Sequence, residues 1–245
     1  MKKLLFIFLS HFIFAQSGFE NGNALYKQGN YEEAIAAYET VFRSKKHSSE
    51  LYFNLGNCYY KLNKVAPSIF NYEKAILLNT DNQQAKNNLE LAQKMRIDDF
   101  QEIPKVGINK IFKNLTSCCH YDTWAWLAVG LGFLVFMFFL GYYFSEKSIL
   151  KRIFFSGMLV VLGVMLLSIF AAVFEKNQFE KERPAIVFAE ETTLKILPKS
   201  ESKSLKTLHE GAKVFIETSK NNFKKVQLED GTIGWIESDA LKELK

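Results

Sequence analysis

The hydrophobic and polar positions of the chain follow three patterns, and these divide the sequence into three parts. Over residues 16–97, apolar and polar residues are spaced as in amphipathic helices. Two later segments, 124–144 and 153–174, are apolar throughout. After residue 184, short apolar runs are separated by Asn, Asp and Gly, a pattern typical of short strands. The sequence therefore predicts a helical domain, two long apolar helices and an all-β domain, in that order.

The first part contains a repeat. Residues 22–42 and 56–76 align without gaps at an offset of 34, which is the period of a helix-turn-helix hairpin that stacks on its neighbours. The stretch NLGNCYYKL…SIFNYEKAILLNTDN resembles the tetratricopeptide consensus, although Thr80 stands where that family usually has proline. The resemblance implies an all-α stack of two hairpins. The identical pairs are Gly22/Gly56, Asn23/Asn57, Tyr26/Tyr60, Lys27/Lys61, Ile35/Ile69, Tyr38/Tyr72 and Glu39/Glu73.

The packing of these hairpins follows from residue size. We expect Gly22 and Gly56 to let the two helices of each hairpin lie close together, and Tyr38 and Tyr72 to fill the space between hairpins. The segment from Gln83 to Met95 predicts one more amphipathic helix, which would cap the stack. Two hairpins and a cap are near the minimum that buries a core, so we expect stability to depend on a partner or on self-association into a homo-oligomer.

The first helices of the two hairpins carry matching side chains on one side. In tetratricopeptide folds this side is the concave groove that holds a peptide, and it is the predicted peptide groove of this chain. The alternative is that the matching residues reflect duplication alone. A basic clamp for a C-terminal carboxylate is not supported, because Phe19, Gln84 and Asn88 stand where Lys or Arg would be needed. The groove residues are Phe19, Asn23, Tyr26, Lys27, Phe53, Asn57, Tyr60 and Lys61.

The N-terminus has the pattern of a secretory signal peptide. Two lysines precede an apolar run over residues 4–14, which is too short to cross the ~30 Å hydrocarbon layer of a membrane. The small residue Ala15 ends the run before polar residues. We therefore predict a signal peptide over residues 1–15 and a tetratricopeptide repeat domain over 16–97. An uncleaved N-terminal anchor is the alternative.

The two apolar segments have the length of transmembrane helices. Residues 124–144 and 153–174 carry no charge, and each is long enough to cross a bilayer as a helix. The loop at 145–152 has three cations and one anion, which favours the cytoplasmic side. With linkers at 98–123 and 175–184, the sequence predicts a multi-pass protein of the bacterial inner membrane. Its N- and C-terminal domains are then periplasmic.

Residues 185–245 predict a small barrel of short strands. The stretch LHEGAKVFIE…NNFKKVQLEDGTIGWI resembles bacterial SH3 domains, with Gly211 after a turn and Gly234 next to Trp235 in the last hairpin. Phe223 replaces the tryptophan usual before the third strand. Such domains often bind cell-wall peptides or partner proteins, and the resemblance makes Phe223 and Trp235 the predicted SH3-like face. Trp235 as a core residue is the alternative.

Charge and cysteine content exclude other classes of protein. The net charge is +5, but the lysines are scattered among nearly as many acids, so we expect no nucleic-acid binding. Cys118, Cys119, His120 and Asp122 lie close together, yet no second Cys/His pair at zinc spacing exists, so we predict no metal site. The odd number of cysteines and an oxidising periplasm instead favour an intermolecular disulfide through Cys118 or Cys119. We also expect no cofactor and no enzymatic activity, because no catalytic motif is recognisable.

The order of these parts resembles the BatE-type proteins of the Bacteroides aerotolerance operon. A signal peptide, a tetratricopeptide pair, DTWAWLAV at the start of a membrane hairpin and an SH3-like barrel follow one another over nearly the whole chain. The resemblance implies a role beside a MoxR-type ATPase and von Willebrand factor A-domain Bat proteins in an envelope or stress-tolerance complex.

The predicted fold class is a multidomain membrane protein with all-α tetratricopeptide hairpins, a two-helix transmembrane hairpin and a C-terminal all-β SH3-like barrel. The predicted function is a membrane-anchored scaffold with extracytoplasmic modules that bind other membrane or periplasmic proteins, in contact with the lipid bilayer. The alternative is a cell-wall sensor whose SH3-like domain binds peptidoglycan peptides.

Overall fold

In the described part of the chain, α-helices occur up to Lys181, and β-strands with one short 3-10 helix at Ser238–Ala240 follow. The predicted signal peptide at residues 1–15 lies outside the described residues, and so do Cys118 and most of the predicted linker at 98–123. The structure is a computed structural model, and it describes residues 18–43, 47–98, 115–116 and 119–245.

The chain forms two compact units, of which the first is discontinuous in sequence. Unit 1 combines Met1–Ile103 with Arg183–Lys245, and unit 2 comprises Pro104–Glu182. The helical repeats and the strands therefore belong to one compact unit, although two long helices separate them along the chain.

The repeat region of unit 1 has the helices that the 34-residue period predicts, namely two hairpins and one further helix. The turns inside the hairpins are equivalent, because Gly29 and Asn63, 34 residues apart, adopt positive φ angles of 84° and 56°. The side chains of Ser48 and Asn82 cap the helices that follow them. The helices are α1 (18–27), α2 (Tyr31–Arg43), α3 (Ser49–Lys61), α4 (Val65–Leu78) and α5 (Gln83–Gln93).

A glycine and a tyrosine pack face to face inside each hairpin. A Cβ atom added to Gly22 would lie 2.4 Å from the Tyr38 ring, and one added to Gly56 would lie 2.6 Å from the Tyr72 ring. Real Cβ atoms essentially never come this close, so only glycine fits beneath these rings. The predicted role of the glycines is confirmed. The tyrosine rings lie against the glycine of their own hairpin, and each also packs in a core cluster with the helix that follows the hairpin, as the sequence predicts.

The C-terminal part of unit 1 is a seven-stranded antiparallel sheet in the order β3-β2-β6-β5-β4-β1-β7. The structure confirms that the C-terminal domain is an antiparallel β-sheet. Its identity as an SH3 domain stays a prediction. The sequence missed β3 and β7, because β3 has one buried residue, Leu208, and β7 is only three residues long. The strands are β1 (Pro184–Val187), β2 (Glu191–Lys195), β3 (Ser204–His209), β4 (Lys213–Lys220), β5 (Phe223–Leu228), β6 (Ile233–Glu237) and β7 (Leu241–Glu243).

Strand β1 is buried on both faces and joins the sheet to the repeats. Ala185 and Val187 lie in the core of the sheet, whereas Ile186 packs with Phe70 of α4. The rings of Phe70 and Phe188 meet edge to face with centroids 5.6 Å apart. The sheet therefore covers the end of the repeat stack, and the core that two hairpins and α5 bury is completed by the same chain.

Polar contacts surround this apolar contact between the helices and the sheet. They include two ion pairs and one histidine–carboxylate hydrogen bond, and their side chains are mostly shielded from solvent. In each of them one partner precedes the two long helices in sequence and the other follows them. The pairs are Glu73 Oε1 with Lys213 Nζ at 2.6 Å, Asp98 Oδ1 with His209 Nδ1 at 3.0 Å, and Arg96 Nη1 with Glu229 Oε2 at 3.5 Å.

The last strand, β7, carries Glu243, whose carboxylate lies between the cations of Arg183 and Lys224. Glu243 accepts hydrogen bonds from Arg183 Nη2 at 2.9 Å and from Lys224 Nζ at 2.8 Å. The hydrogen bond from Lys224 lowers the pKa of Glu243 below its usual 4.5, burial opposes this shift, and Arg183 adds to it.

The lowered pKa predicts a loss of stability in acid. A carboxylate with a depressed folded-state pKa stabilises fully above its unfolded pKa, and this contribution is lost as the pH falls through the folded value. In urea unfolding of the detergent-solubilised full chain, the free-energy difference between the native protein and Glu243→Gln should therefore be largest above about pH 4.5 and shrink below it. A difference that stays constant down to pH 2 would contradict this role.

Unit 2 is an antiparallel pair of long helices, α6 (Tyr121–Phe144) and α7 (Ser148–Lys181). Gly141 lies under the ring of Phe154, and Gly157 lies under that of Phe138, so the two helices pack closely at these glycines. The connection is shorter than the predicted loop, because α7 already begins at Ser148. The same helix continues seven residues beyond the predicted span that ends at residue 174.

The apolar side chains of α6 and α7 are largely exposed. Trp126, Phe133 and Leu167 have exposed fractions of 75%, 70% and 69%. In a soluble protein a helix this apolar would lie in the core with such side chains buried. By length and composition, both helices are suited to cross a membrane.

Candidate peptide-binding groove

The structure places the predicted groove residues on α1 and α3, the first helices of the two hairpins. Lys27 and Lys61 are exposed, and the other six side chains are half-buried. Their structural roles differ, and they separate into a set that holds the hairpins together and a set that faces outward.

The asparagines belong to a hydrogen-bond network that occurs twice. Asn23 Oδ1 accepts hydrogen bonds from Tyr38 Oη at 2.7 Å and from Asn54 Nδ2 at 2.9 Å. The second network repeats this arrangement 34 residues later. There, Asn57 Oδ1 accepts hydrogen bonds from Tyr72 Oη and Asn88 Nδ2, both at 2.8 Å.

These networks connect the first helix of each hairpin to the helix that follows that hairpin. Asn23 joins α1 to α3 through Asn54, and Asn57 joins α3 to α5 through Asn88. The sequence did not place Asn54 and Asn88 among the groove residues, although they also differ by 34. That offset, extended beyond the aligned segments, was the signal that would have found them.

Burial fixes the protonation of the network. It raises the pKa of the Tyr38 and Tyr72 hydroxyls well above their usual 10, so both donate hydrogen bonds at any physiological pH. It also raises the pKa of the buried Cys58 thiol from 9 to about 12, which keeps the thiol neutral and unreactive.

The two phenylalanines also support the tyrosines. The rings of Phe19 and Tyr38 have centroids 5.9 Å apart, and those of Phe53 and Tyr72 are 6.2 Å apart. Four of the eight predicted residues therefore have a clear structural role, since each contacts a buried tyrosine. They are Phe19, Asn23, Phe53 and Asn57.

The other four residues remain suited to hold a ligand. The ring of Tyr26 lies 5.4 Å from that of Tyr31, and burial raises the pKa of the Tyr26 hydroxyl. Tyr60 packs partly against the core shared by α4 and β1. Lys27 and Lys61 form no ion pair with another described residue. Two half-buried tyrosines beside two unpaired cations suit an extended peptide that carries carboxylates.

On the sheet, the structure separates the two residues of the predicted SH3-like face. Phe223 is 8% exposed, and the Lys195 ammonium lies 5.6 Å from the centroid of its ring. Trp235 is half-buried between two buried neighbours on β6, and it pairs across the sheet with Lys195 and Lys225. Only Trp235 of the two therefore offers a substantial aromatic surface, and Lys195 is adjacent to both.

Residues 119–122, just before and at the start of α6, show no metal site within the part of the chain that the structure describes. No group of three His, Cys, Asp or Glu side chains there is arranged to hold a metal ion. His120 Nδ1 lies 3.2 Å from Asp122 Oδ2, and the His120 ring packs against Phe179 of α7. Cys119 is exposed.

Comparison with known proteins assigns the class of the helical region. Residues 22–63 match the family model described as TPR repeat, and residues 49–82 match the one described as tetratricopeptide repeat. The chain therefore contains tetratricopeptide repeats, a class of domain that supports protein–protein interaction.

Two proteins named sperm-associated antigen 1 are similar to part of this chain. That of Rattus norvegicus is 35% identical over 75 residues, and that of Mus musculus is 33% identical over 75 residues. In both comparisons the matched segment is 31% of this chain and 8% of the relative. The similarity thus covers a small part of each relative.

Proposed function

We propose that the protein is a membrane-anchored scaffold that binds other proteins through its tetratricopeptide groove. One observation carries this proposal. An apolar helical hairpin with exposed side chains is inserted, along the chain, between two halves of a single compact unit that contains protein-interaction repeats.

The contact between the two halves of unit 1 supports a hairpin that crosses the membrane twice. Phe70 precedes the apolar helices and Phe188 follows them, yet their rings are in contact. Both halves must therefore lie on the same side of any membrane that the helices enter. Two crossings return the chain to its starting side, whereas one crossing would separate the halves.

The distribution of charge supports the orientation in which unit 1 is periplasmic. Around the connection between α6 and α7, residues 145–152 contain three cations and one acid. Cationic residues favour the cytoplasmic side of a bacterial inner membrane.

The order of the parts supports a more specific assignment to a Bat-type envelope complex. In this proposal the groove binds a segment of a neighbouring protein of the complex, such as a von Willebrand factor A-domain Bat protein. A segment rich in Asp or Glu would complement Lys27 and Lys61.

Enzyme fusions test the topology. Alkaline phosphatase is active only after export, so a fusion after Lys245 should be active and one inserted at Ser145–Lys147 should be inactive. Western blots of both fusions control for expression. Activity of the fusion at Ser145–Lys147 would reject the proposed topology.

Substitutions in the groove test the binding function. Tyr60→Ala should weaken partner capture by about 2 kcal/mol, because aromatic anchors dominate protein interfaces. Lys61→Ala should cost only about 0–1 kcal/mol, as is usual for an exposed cation. Capture is measured by crosslinking in native membranes followed by mass spectrometry, for variants that retain the native helicity.

The control variant is Leu78→Ala, because Leu78 lies on α4 and is 50% exposed. It should leave capture unchanged. If Tyr60→Ala lowers only the unfolding temperature while the folded protein still captures its partners, Tyr60 has a packing role and does not anchor the ligand.

A further inference from the structure

A pocket lies where the two apolar helices of unit 2 are connected. It is a shallow depression that is open to solvent, with a volume of about 340 Å³. One wall is aromatic, because the rings of Tyr142 and Phe155 have centroids 6.0 Å apart. The lining residues are Tyr142, Ser148, Lys151, Arg152 and Phe155.

The pocket is cationic, and the protein leaves its cations unpaired. Lys151 and Arg152 form no ion pair with any described residue, and the Lys151 ammonium lies 6.0 Å from the centroid of the Tyr142 ring. Both cations are exposed. Two unpaired cations beside an aromatic wall favour a ligand with an anionic head and an apolar body.

The backbone at the pocket adds to this positive character. Helix α7 begins at Ser148, and its N-cap residue Lys147 provides no side-chain hydrogen bond to the first turn. The free N–H groups of a helix start attract anions.

We propose that this pocket binds the phosphate headgroup of an anionic phospholipid. The inference rests on the proposed function, because it needs α6 and α7 to lie in a bilayer. Their apolar segments then bring the pocket to the headgroup layer, where basic pockets between helices recognise anionic lipids. Lys151, Arg152 and Ser148 contact the phosphate oxygens, and Tyr142 and Phe155 contact the glycerol and acyl carbons.

Lipid titration of the full chain, followed by native mass spectrometry in detergent, tests the site. The probes are phosphatidylglycerol, phosphatidylcholine and inorganic phosphate. The native protein should bind phosphatidylglycerol more tightly than phosphatidylcholine. Each of Lys151→Gln and Arg152→Gln should lower the affinity for phosphatidylglycerol about fivefold, and the double variant should lower it roughly 30-fold.

The matched control is the double variant Lys176→Gln/Lys181→Gln. It removes two cations at the opposite end of α7 and should leave the affinity for phosphatidylglycerol unchanged. Equal losses in both double variants would show that total charge, and not the pocket, attracts the lipid, and would overturn the proposal. Binding of inorganic phosphate as tight as that of phosphatidylglycerol would overturn a lipid as the ligand.

Carbonate extraction of membranes separates this proposal from the proposed function. If the native chain is released by carbonate, membrane anchoring fails and the lipid site fails with it. If the chain stays in the membrane but has no preference for phosphatidylglycerol over phosphatidylcholine, only the lipid site is rejected.

Discussion

Phe70→Ala is expected to lower the free energy of unfolding of the helical repeats and of the sheet together, by about 3–5 kcal/mol. Phe70 is only 5% exposed and packs in the core that α4 shares with β1. Its ring contacts that of Phe188, and the Lys242 ammonium lies 4.5 Å from its centroid. Truncation to alanine leaves a cavity between the two halves of unit 1 and removes both ring interactions.

Urea unfolding of the detergent-solubilised full chain measures this effect. Trp235 is the one tryptophan in unit 1, so Trp124→Phe and Trp126→Phe leave it as the fluorescence reporter of the sheet. Circular dichroism follows the helices. Both signals should shift to lower urea by the same amount in Phe70→Ala. The control Leu78→Ala, on the same helix and 50% exposed, should change the free energy by less than about 0.5 kcal/mol.

Separate transitions for the helices and the sheet would contradict this prediction. If Phe70→Ala shifts the helical transition and leaves the Trp235 transition in place, the repeats and the sheet unfold independently. The contact seen between Phe70 and Phe188 would then contribute nothing to the stability of the sheet.

The sequence of β1 already indicated that a second element packs on this strand, although it did not indicate which one. The run Ala185–Phe188 is apolar at every position, and an unbroken apolar run indicates a strand that is buried on both faces. A barrel strand with one face in solvent alternates instead. The structure shows what the second face meets, since Ile186 and Phe188 pack against α4. Which element covers the second face of a strand depends on contacts between segments that are distant in sequence. Those contacts cannot be read from a single sequence.

Local patterns predicted the helical repeats well because each hairpin is defined by nearby residues. The offset of 34, the glycines under the tyrosine rings and the cap of the following helix all lie within one repeat or its neighbour. The structural roles of the predicted groove residues were not all predictable. Asn23 and Asn57 share a helix side with Tyr26 and Tyr60, but sequence spacing does not reveal that their side chains are already bonded to buried tyrosines.

The ends of the long helices differ from their predicted limits for a physical reason. Hydropathy detects where apolar residues stop, whereas a helix continues as long as its backbone hydrogen bonds do. Helix α7 therefore includes Lys151 and Arg152 at one end and runs to Lys181 at the other. This displacement brings the two cations onto a helix beside Tyr142, where they line a pocket.

Tyr72→Ala is the second substitution with a large expected effect, a loss of about 3–5 kcal/mol in the free energy of unfolding. Tyr72 is fully buried, its ring lies on Gly56, and its hydroxyl donates a hydrogen bond to Asn57. Tyr72→Phe keeps the ring and removes only the hydroxyl. It should cost about 0.5–1.5 kcal/mol, because Asn57 still accepts a hydrogen bond from Asn88. Equal losses for the two variants would mean that the hydroxyl, and not the ring on Gly56, carries the stability.

A double-mutant cycle with Gly56→Ala tests whether the ring and the glycine depend on each other. In the native protein the added methyl group would lie 2.6 Å from the Tyr72 ring, so Gly56→Ala alone should cost about 1–3 kcal/mol. In the Tyr72→Ala background the ring is absent and the methyl group fills part of the cavity, so the same change should cost little or nothing. The resulting coupling energy, about 1–3 kcal/mol, is measurable by urea unfolding of the four proteins. Additive losses would contradict direct packing of the ring on the glycine, because two residues that exclude each other's substituents cannot contribute independently.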